Sequence, residues 1–341
     1  MRFGLVGYGL WGRHHARAIQ ATPGAILTAI ACRTEATAAA ARADFPGVPV
    51  HLGYDDLVAR ADVEVVAIVV PNHLHAAIAT AALAHGKDVL LEKPLAPTLE
   101  ACDRLIEAVR RSGRVLTVGH ELRLSTQWGR IKALIDAGEI GEPRAVVMNL
   151  FRFPYRRGSD GWRYDPARIG SWIMEELVHH FDLALWYFAA FGPPISVVAD
   201  GNGRHGGSAM TENFASLVRF AGERYAVVTQ TLAGFDYDLV VEVTGSDGAM
   251  RASWIGALDR TRQAAFDLKI LARGAAAPES IPIAASGELY ELEEQLRQAV
   301  TAFRERRPLV SAEEARRPVA LCLAAERSLR ERREIPLSWE D

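Results

Sequence analysis

Hydrophobic and polar positions alternate along the first 120 residues in a pattern that predicts βαβ units. Short runs rich in Val, Ile and Leu recur between longer, alanine-rich segments of helical character. Such runs are typical of strands buried in a parallel sheet, and the segments between them are typical of covering helices. Strands are predicted at 3–6, 26–31, 65–70, 89–91 and 115–118, and the clearest helices at 74–85 and 99–111. We therefore expect an α/β domain with a doubly wound parallel sheet over residues 1–120.

After residue 125 the pattern becomes that of an antiparallel sheet. One helix is predicted to end at residue 137, one strand spans 145–150 and a further helix spans 171–190. Five strands with short polar connections follow, at 197–200, 214–220, 225–232, 239–244 and 249–253. Short turns between consecutive strands, as at 245–248, indicate antiparallel pairing. With closing helices at 289–306 and 312–332, residues 121–341 are expected to form a second α/β domain.

Composition narrows the class of protein. The 341 residues are 49% hydrophobic, which is enough for the cores of two domains, and the net charge of -3 argues against a nucleic-acid partner. Three widely spaced cysteines, Cys32, Cys102 and Cys322, indicate neither a disulfide framework nor a zinc cluster. No signal-peptide core is visible, and Gly192-Pro193-Pro194 interrupts the apolar stretch at 183–199. We expect a cytoplasmic protein without a membrane partner.

The segment Gly7-Tyr8-Gly9-Leu10-Trp11-Gly12 matches GxGxxG directly after a predicted strand and before a helix. In that context the glycines permit a tight turn, close approach of a pyrophosphate and close helix packing. A glycine-rich turn without a ligand is the alternative. The position favours a dinucleotide site with Gly7, Gly9, Leu10, Trp11 and Gly12 in contact with the cofactor.

The end of the second strand bears on the choice of cofactor. An NAD site usually has an acidic residue there that holds the ribose 2′-hydroxyl, whereas this chain has Cys32, Arg33 and Thr34. A guanidinium suits a 2′-phosphate, so NADP is slightly favoured over NAD. If Arg33 is only solvated or stacks on adenine, NAD remains acceptable.

Lys93 follows the predicted strand 89–91 in the sequence Glu92-Lys93-Pro94. Ligands of open α/β folds bind at the carboxyl edge of the sheet, which places Lys93 near the nicotinamide. A lysine there can hydrogen-bond a substrate hydroxyl. The alternative is a surface lysine after a strand.

The segment 170–182 holds the second cluster of candidate residues. On a helix, Ile173, Leu177 and Phe181 share an apolar stripe, while Glu175 and His179 lie on the other side with i,i+4 spacing. A histidine is well suited to take a proton from an alcohol, and the Glu175 carboxylate could hydrogen-bond a neighbouring hydroxyl. A solvated outer face is the alternative. His180 is assigned to structure, and no metal is predicted, because adjacent histidines on a helix cannot easily share one ion.

These motifs together resemble the Gfo/Idh/MocA family, the glucose-fructose oxidoreductase and inositol dehydrogenase group. The resemblance covers most of the chain in matching order and spacing: GYGLWG at 7–12, PNHLH at 71–75, EKP at 92–94, the stretch 118–125 and the segment 170–182. It implies a Rossmann domain followed by an α/β domain that binds substrate and whose large, mostly antiparallel open sheet often mediates homodimers or homotetramers.

The resemblance also implies roles for individual residues. The family's EKP lysine and downstream histidine act at the substrate hydroxyl, which carries over to Lys93 and His179. Glu175 stands where the family usually has an aspartate that orients substrate. The PNxxH segment lies along the nicotinamide ribose, which carries over to Pro71, Asn72 and His75. The other expected cofactor contacts beyond the glycine loop are Arg33, Thr34, Glu92 and Lys93.

Two departures from the family concern substrate binding. Glu121 replaces a common Asn and Ser171 replaces a common Gly. The Glu121 carboxylate would repel acidic substrates, or it could pair with Arg123 and have no binding role. The loop 151–168 is rich in aromatic and basic residues that suit polyhydroxylated rings, although solvated arginines are equally compatible with it. The expected substrate contacts are Lys93, His120, Glu121, Tyr155, Arg163, Glu175 and His179.

The function predicted is reversible oxidation of a secondary hydroxyl of a sugar, sugar derivative or cyclitol with NADP or NAD. His179 is expected to take the hydroxyl proton while Lys93 polarises the oxygen, and the two roles could be exchanged. A redox-neutral enzyme that oxidises its substrate transiently, as in glycoside cleavage, is a second interpretation. A non-catalytic cofactor-sensing regulator is a third, against which Lys93 and His179 argue.

Overall fold

The computed structural model describes residues 1–203 and 210–339, and the chain divides into two compact units. The first comprises Met1–His120, Ser159–Gly170 and Leu292–Val319; the second comprises Glu121–Gly158, Ser171–Glu291 and Ala320–Asp341. Residues 159–170 and 292–319, which fall within the predicted second domain, therefore belong to the first unit.

The first unit is built on a six-stranded parallel sheet in the order β3-β2-β1-β4-β5-β6. Its strands are β1 (Arg2–Val6), β2 (Ile26–Cys32), β3 (Val50–Leu52), β4 (Val65–Ile68), β5 (Asp88–Glu92) and β6 (Leu116–Gly119). The doubly wound parallel sheet predicted from the sequence is confirmed. Only the short edge strand β3 has no counterpart in the predicted set, because its partly exposed residues form no long apolar run.

Five helices of the first unit connect these strands: α1 (Leu10–Ala21), α2 (Glu35–Asp44), α3 (Asp55–Ala59), α4 (His75–Ala84) and α5 (Leu99–Ser112). The short α7 (Pro166–Ile169) belongs to the same unit but comes from the segment 159–170. The bounds of α5 follow from local chemistry. The Thr98 side chain accepts from the backbone N–H of Ala101, and Gly113 ends the helix in the left-handed region. A 3-10 turn at Asn72–Leu74 precedes α4.

Residues 292–319 belong to the first unit because they help to form its core. Helix α9 (Glu288–Arg304) places Leu296, Val300 and Phe303 among buried residues of β1, β2 and α1. The rings of Phe3 and Phe303 pack edge to face with centroids 6.4 Å apart. This burial of apolar surface joins a segment far along the chain to the N-terminal sheet.

The second unit contains a nine-stranded sheet in the order β14-β13-β12-β11-β7-β10-β9-β8-β15. Its strands are β7 (Pro143–Arg152), β8 (Pro194–Asn202), β9 (Asn213–Phe220), β10 (Arg224–Thr231), β11 (Tyr237–Gly245), β12 (Ala249–Gly256), β13 (Ala265–Leu271), β14 (Glu279–Ser280) and β15 (Ile335–Pro336). Neighbours pair antiparallel except β7 with β10. The large, mostly antiparallel sheet that the resemblance implied is confirmed.

One face of this sheet is covered by helix and the other is open. Residues of β9 and β10 alternate between buried and more exposed positions, as expected for a sheet packed on one side. On the covered face, Phe188, which follows α8 (Val178–Tyr187), contacts Phe220 at the end of β9. The remaining helices are α6 (Trp128–Asp136) and α10 (Ala312–Glu331).

Candidate active site

The glycine loop between β1 and α1 has the geometry of a dinucleotide cradle. Gly7 has a φ of 100°, and a Cβ there would lie 2.0 Å from the carbonyl oxygen of Val69. A Cβ on Gly12 would lie 2.1 Å from the carbonyl oxygen of Gly7, whereas one on Gly9 would meet nothing within 4 Å. Two glycines are therefore required by close packing, and Gly9 leaves open space at the N-terminus of α1. This space is where the fold admits a pyrophosphate.

Trp11 and Glu92, both predicted to contact the cofactor, contact each other. The indole nitrogen of Trp11 donates to Oε1 of Glu92 at 3.1 Å, and Nε2 of His15 lies 2.8 Å from the same oxygen. Burial alone would raise the pKa of Glu92, but the hydrogen bond and charge of His15, with the charge of Lys93, hold that pKa below its usual value. The Glu92 carboxylate thus links the end of β5 to the first helix.

Lys93 follows β5 at the carboxyl edge of the parallel sheet, as predicted. Behind it, the fully buried His75 connects two strand ends. Its Nδ1 lies 2.7 Å from the carbonyl oxygen of Pro94 and its Nε2 lies 3.0 Å from that of Val70. His75 therefore supports the backbone around Lys93, and a direct contact with the cofactor stays a prediction.

The remaining predicted cofactor residues lie at the ends of β2 and β4. Thr34 caps α2, its hydroxyl accepting from the backbone N–H of Thr37 at 3.3 Å. Arg33 forms an ion pair with Asp160, which sequence reasoning did not single out. The Asn72 amide, which follows Pro71, donates to the carbonyl oxygen of Ile169 at 2.9 Å.

In the second unit, the segment bearing Glu175 and His179 begins with a π-helical turn at Ile173–Leu177 before α8. The turn departs from the regular α-helical spacing assumed in the sequence prediction. Glu175, His179 and Asp182 are each at most 7% exposed. The alternative of a solvated outer face is therefore wrong for these residues. His180, assigned to structure, is 1% exposed.

The second unit brings Glu121 and His179 together. Oε1 of Glu121 lies 3.7 Å from Nε2 of His179, and both side chains are buried. Arg123 donates to both carboxylate oxygens of Asp182, at 2.8 and 2.7 Å. Glu121 and His179 are both predicted substrate contacts, but the sequence pattern does not pair them, because 58 residues separate them.

Glu176, which sequence reasoning missed, is the centre of a buried polar network. Its carboxylate accepts from Arg152 at 2.7 Å, from the Tyr155 hydroxyl at 2.7 Å and from the Tyr237 hydroxyl at 3.0 Å. Burial and the Glu176 charge raise the pKa of both tyrosines well above the usual range. Tyr155, predicted to bind substrate, thus supports the residue beside Glu175.

The other predicted substrate residues are placed as follows. His120, at the end of the first unit's N-terminal segment, is 2% exposed. Arg163 belongs to the first unit and stacks on Trp162, with its guanidinium carbon 5.0 Å from the ring centroid. Within residues 1–203 and 210–339, no group of three His, Cys, Asp or Glu side chains could hold a metal ion. The same residues include no helix that is long and apolar enough to cross a membrane.

Comparison with known proteins identifies the family. Residues 1–120 match the model described as "Oxidoreductase family, NAD-binding Rossmann fold", and residues 128–251 match "GFO/IDH/MocA C-terminal domain". An inositol 2-dehydrogenase 2 of Saccharopolyspora erythraea is 32% identical over 73% of this chain and 72% of its own. An inositol 2-dehydrogenase of Salmonella typhimurium is 28% identical over 80% and 79% of the two chains.

Solved structures agree with this assignment. A putative myo-inositol dehydrogenase from Sinorhizobium meliloti superposes with a TM-score of 0.81 at 25% identity, over 99% of this chain and 100% of that one. An aldose-aldose oxidoreductase from Caulobacter crescentus shares the fold, with a TM-score of 0.84 at 19% identity over 99% of each chain. The glycine cradle, the position of Lys93 after β5 and these similarities show that the chain is an NAD(P)-dependent oxidoreductase of the Gfo/Idh/MocA family.

Proposed function

We propose that this enzyme reversibly oxidises a secondary hydroxyl of a sugar, sugar derivative or cyclitol. The observation that carries the proposal is the buried pair of Glu121 and His179, which lies in the same unit as Glu175. Polar side chains are costly to bury, so a cluster of this kind suits a polar ligand that hydrogen-bonds to it. The relatives named inositol 2-dehydrogenase support a polyhydroxylated substrate.

Each candidate residue has a defined role in this proposal. The nicotinamide, when bound, supplies the hydride acceptor at C4. His179 takes the proton of the substrate hydroxyl, and the Glu121 carboxylate 3.7 Å away stabilises the resulting positive charge. Lys93 polarises the hydroxyl oxygen and shares the proton path, while Glu175 binds a neighbouring hydroxyl.

The identity of the dinucleotide is a separate question. The slight preference for NADP drawn from Arg33 and Thr34 stays a prediction. The ion pair between Arg33 and Asp160 weighs against that preference, because it places a carboxylate where a 2′-phosphate would need the guanidinium.

The test is to incubate the purified protein with NAD or NADP and a panel of inositols, sugars and glycosides, following nicotinamide absorbance and products. Lys93→Met and His179→Asn should each lower kcat by about 10²- to 10⁴-fold. The matched controls are Lys269→Met and His85→Asn, both exposed, which should leave kcat unchanged. Unchanged turnover in the Lys93 and His179 variants would refute the assigned roles.

The same assay separates the two other interpretations of the sequence. Product formation without net cofactor reduction would indicate transient oxidation by a retained dinucleotide. Dinucleotide binding without conversion of any substrate would indicate a sensing protein. Either result would replace the proposed dehydrogenase activity.

We also propose that the open face of the second sheet joins two or more copies of the chain. Val198 pairs with Leu217, Leu217 with Val227 and Val227 with Val147, so four apolar residues form one row across β8, β9, β10 and β7. All four are only partly buried. Leu217→Lys should reduce the mass measured by light scattering, whereas Thr301→Lys, at an exposed site on α9, should not. A monomeric wild-type protein would exclude this interface.

The compartment is proposed to be the cytoplasm. Cys32, Cys102 and Cys322 are buried free thiols, which suits a reducing environment. Cell fractionation of the expressing organism would test this proposal, and recovery of the protein outside the cytoplasmic fraction would contradict it.

A further inference from the structure

Residues 159–170, which we call the strap, are attached to the first unit at two separate points. At the C-terminal end of the strap, the Asn72 amide donates to the carbonyl oxygen of Ile169 at 2.9 Å, and Nδ1 of His73 lies 3.1 Å from that of Arg168. The strap's helix α7 is capped by Asp165, whose carboxylate accepts from the backbone N–H of Ala167 at 3.0 Å. This end is therefore fixed beside the residues that follow β4.

The other end of the strap is attached through Asp160. Its carboxylate forms an ion pair with the guanidinium of Arg33, the residue directly after β2. The backbone of Asp160 has a φ of 55° and that of Gly161 a φ of 66°, both in the left-handed region. Arg168 donates to the carbonyl oxygen of Asp160 at 3.4 Å, which helps to hold this turn. Asp160 thus adopts a backbone conformation that few non-glycine residues adopt.

The order of the strands shows what the strap passes. In the sheet, β1 lies between β2 and β4, and the glycine loop 7–12 follows β1. The strap is attached beside β4 at one end and to the residue after β2 at the other. It must therefore pass the carboxyl end of β1, which lies between them. That end of β1 is where the dinucleotide of a Rossmann fold lies, with its adenosine ribose near the end of the second strand.

Asp160 supplies the negative charge that the second strand lacks. Cys32 stands where an NAD-preferring site usually has an acidic residue. We propose that Asp160, held by Arg33, takes the place of that residue and makes the enzyme prefer NAD to NADP. Ribose hydroxyls can donate to the Asp160 carboxylate, whereas a 2′-phosphate would have to compete with it for Arg33 and would be repelled by its charge.

The experiment is equilibrium titration of the full-length protein with NADH and NADPH, followed by nicotinamide fluorescence. The wild-type protein should bind NADH more tightly than NADPH. Asp160→Asn, which tolerates the left-handed conformation and removes one charge, should shift the ratio of the two dissociation constants toward NADPH by about tenfold. Asp160→Gly, suited to the φ of 55°, should give the same shift if the Asn variant fails to fold.

The control is Glu35→Gln. Glu35 is the first residue of α2, and its carboxylate pairs with Arg42 of the same helix. The substitution removes this carboxylate and leaves the pair of Arg33 and Asp160 in place. In this variant the ratio of the dissociation constants for NADH and NADPH should stay close to that of the wild type. An unchanged ratio in both Asp160 variants, or an equal shift in Glu35→Gln, would overturn the inference. The inference rests on the proposed cofactor site, but the titration needs no substrate. Absence of binding of both dinucleotides to the wild-type protein would overturn the site itself, whereas binding without a shift overturns only the role of Asp160.

Discussion

Nε2 of His15 lies 2.8 Å from Oε1 of Glu92, and this buried contact ties the first helix of the Rossmann unit to the strand that precedes Lys93. The same oxygen accepts from Trp11 of the glycine loop at 3.1 Å. One carboxylate therefore holds the cofactor loop and the backbone next to the predicted catalytic lysine in a fixed relation.

Replacement of Glu92 by Gln should destabilise the first unit and weaken dinucleotide binding. Removing one member of a buried ion pair typically lowers the free energy of unfolding by about 3 kcal/mol, because the charge of the other member stays buried without a counter-charge. The pKa of Glu92 is lowered in the folded protein, so its contribution is present above its unfolded pKa near 4.5 and is lost as the pH falls through the lower folded value. Urea denaturation of the wild type and of Glu92→Gln at pH 7 and at pH 4 would measure the difference between their free energies of unfolding at each pH.

The control for Glu92 is Glu107→Gln, whose side chain is 55% exposed and should change stability little. Equal stability of Glu92→Gln and the wild type at pH 7 would contradict the assigned role. A stability difference between Glu92→Gln and the wild type that grows as the pH falls below 4 would also contradict it.

Replacement of Glu121 by Gln should lower kcat and leave dinucleotide affinity unchanged. The variant removes the negative charge 3.7 Å from His179 without removing the side chain. A loss of about tenfold in kcat, equivalent to roughly 1.4 kcal/mol, is expected when one charge no longer stabilises the protonated imidazole. Steady-state kinetics with NADH titration check both quantities, with the exposed Glu139→Gln as control. Loss of dinucleotide affinity instead of kcat would count against a role at His179.

Replacement of Arg152 by Met should destabilise the second unit by about 3 kcal/mol, because it leaves the buried Glu176 carboxylate without its cation. The double variant Arg152→Met with Glu176→Gln should recover much of that loss, because the buried carboxylate charge is removed while the amide oxygen can still accept from Tyr155 and Tyr237. Thermal and chemical unfolding of the single and double variants measure the coupling. Additive losses in the double variant would show that the two residues act independently.

Replacement of Glu291 by Gln should stabilise the protein at pH 8 and have little effect at pH 5. Burial is the largest cause that raises the pKa of this carboxyl from 4.5 to about 7. A raised carboxyl pKa means that the folded state loses stability as the pH rises from about 4.5 through about 7, because the charged form is disfavoured in the core.

The difference between the two pKa values of Glu291 corresponds to roughly 3 kcal/mol at pH 8. Denaturation curves at pH 5 and pH 8 would detect it, with the exposed Glu293→Gln as the matched control. The raised pKa of Glu291 would be contradicted if the stability of the wild type changed as little between pH 5 and pH 8 as that of Glu291→Gln.

The sequence alone predicted the class of fold, because the signals of strands and helices are local. The period of apolar residues identified nearly every strand of the parallel sheet, and it missed β3, whose three residues are too few and too exposed to form a run. The glycines at 7, 9 and 12 predicted the cofactor loop for the same reason, since a tight turn and a close approach depend on the residues of the turn itself.

The tertiary structure alone decided which polar side chains meet. Arg33 and Asp160 are separated by 127 residues, and Arg152 and Glu176 by 24, and no local period records either pair. The same holds for residues 292–319, whose helix supplies core side chains to a sheet formed by the first 120 residues. Pairing across such separations depends on how buried surfaces pack, and the spacing of residues along one strand or helix carries no information about it.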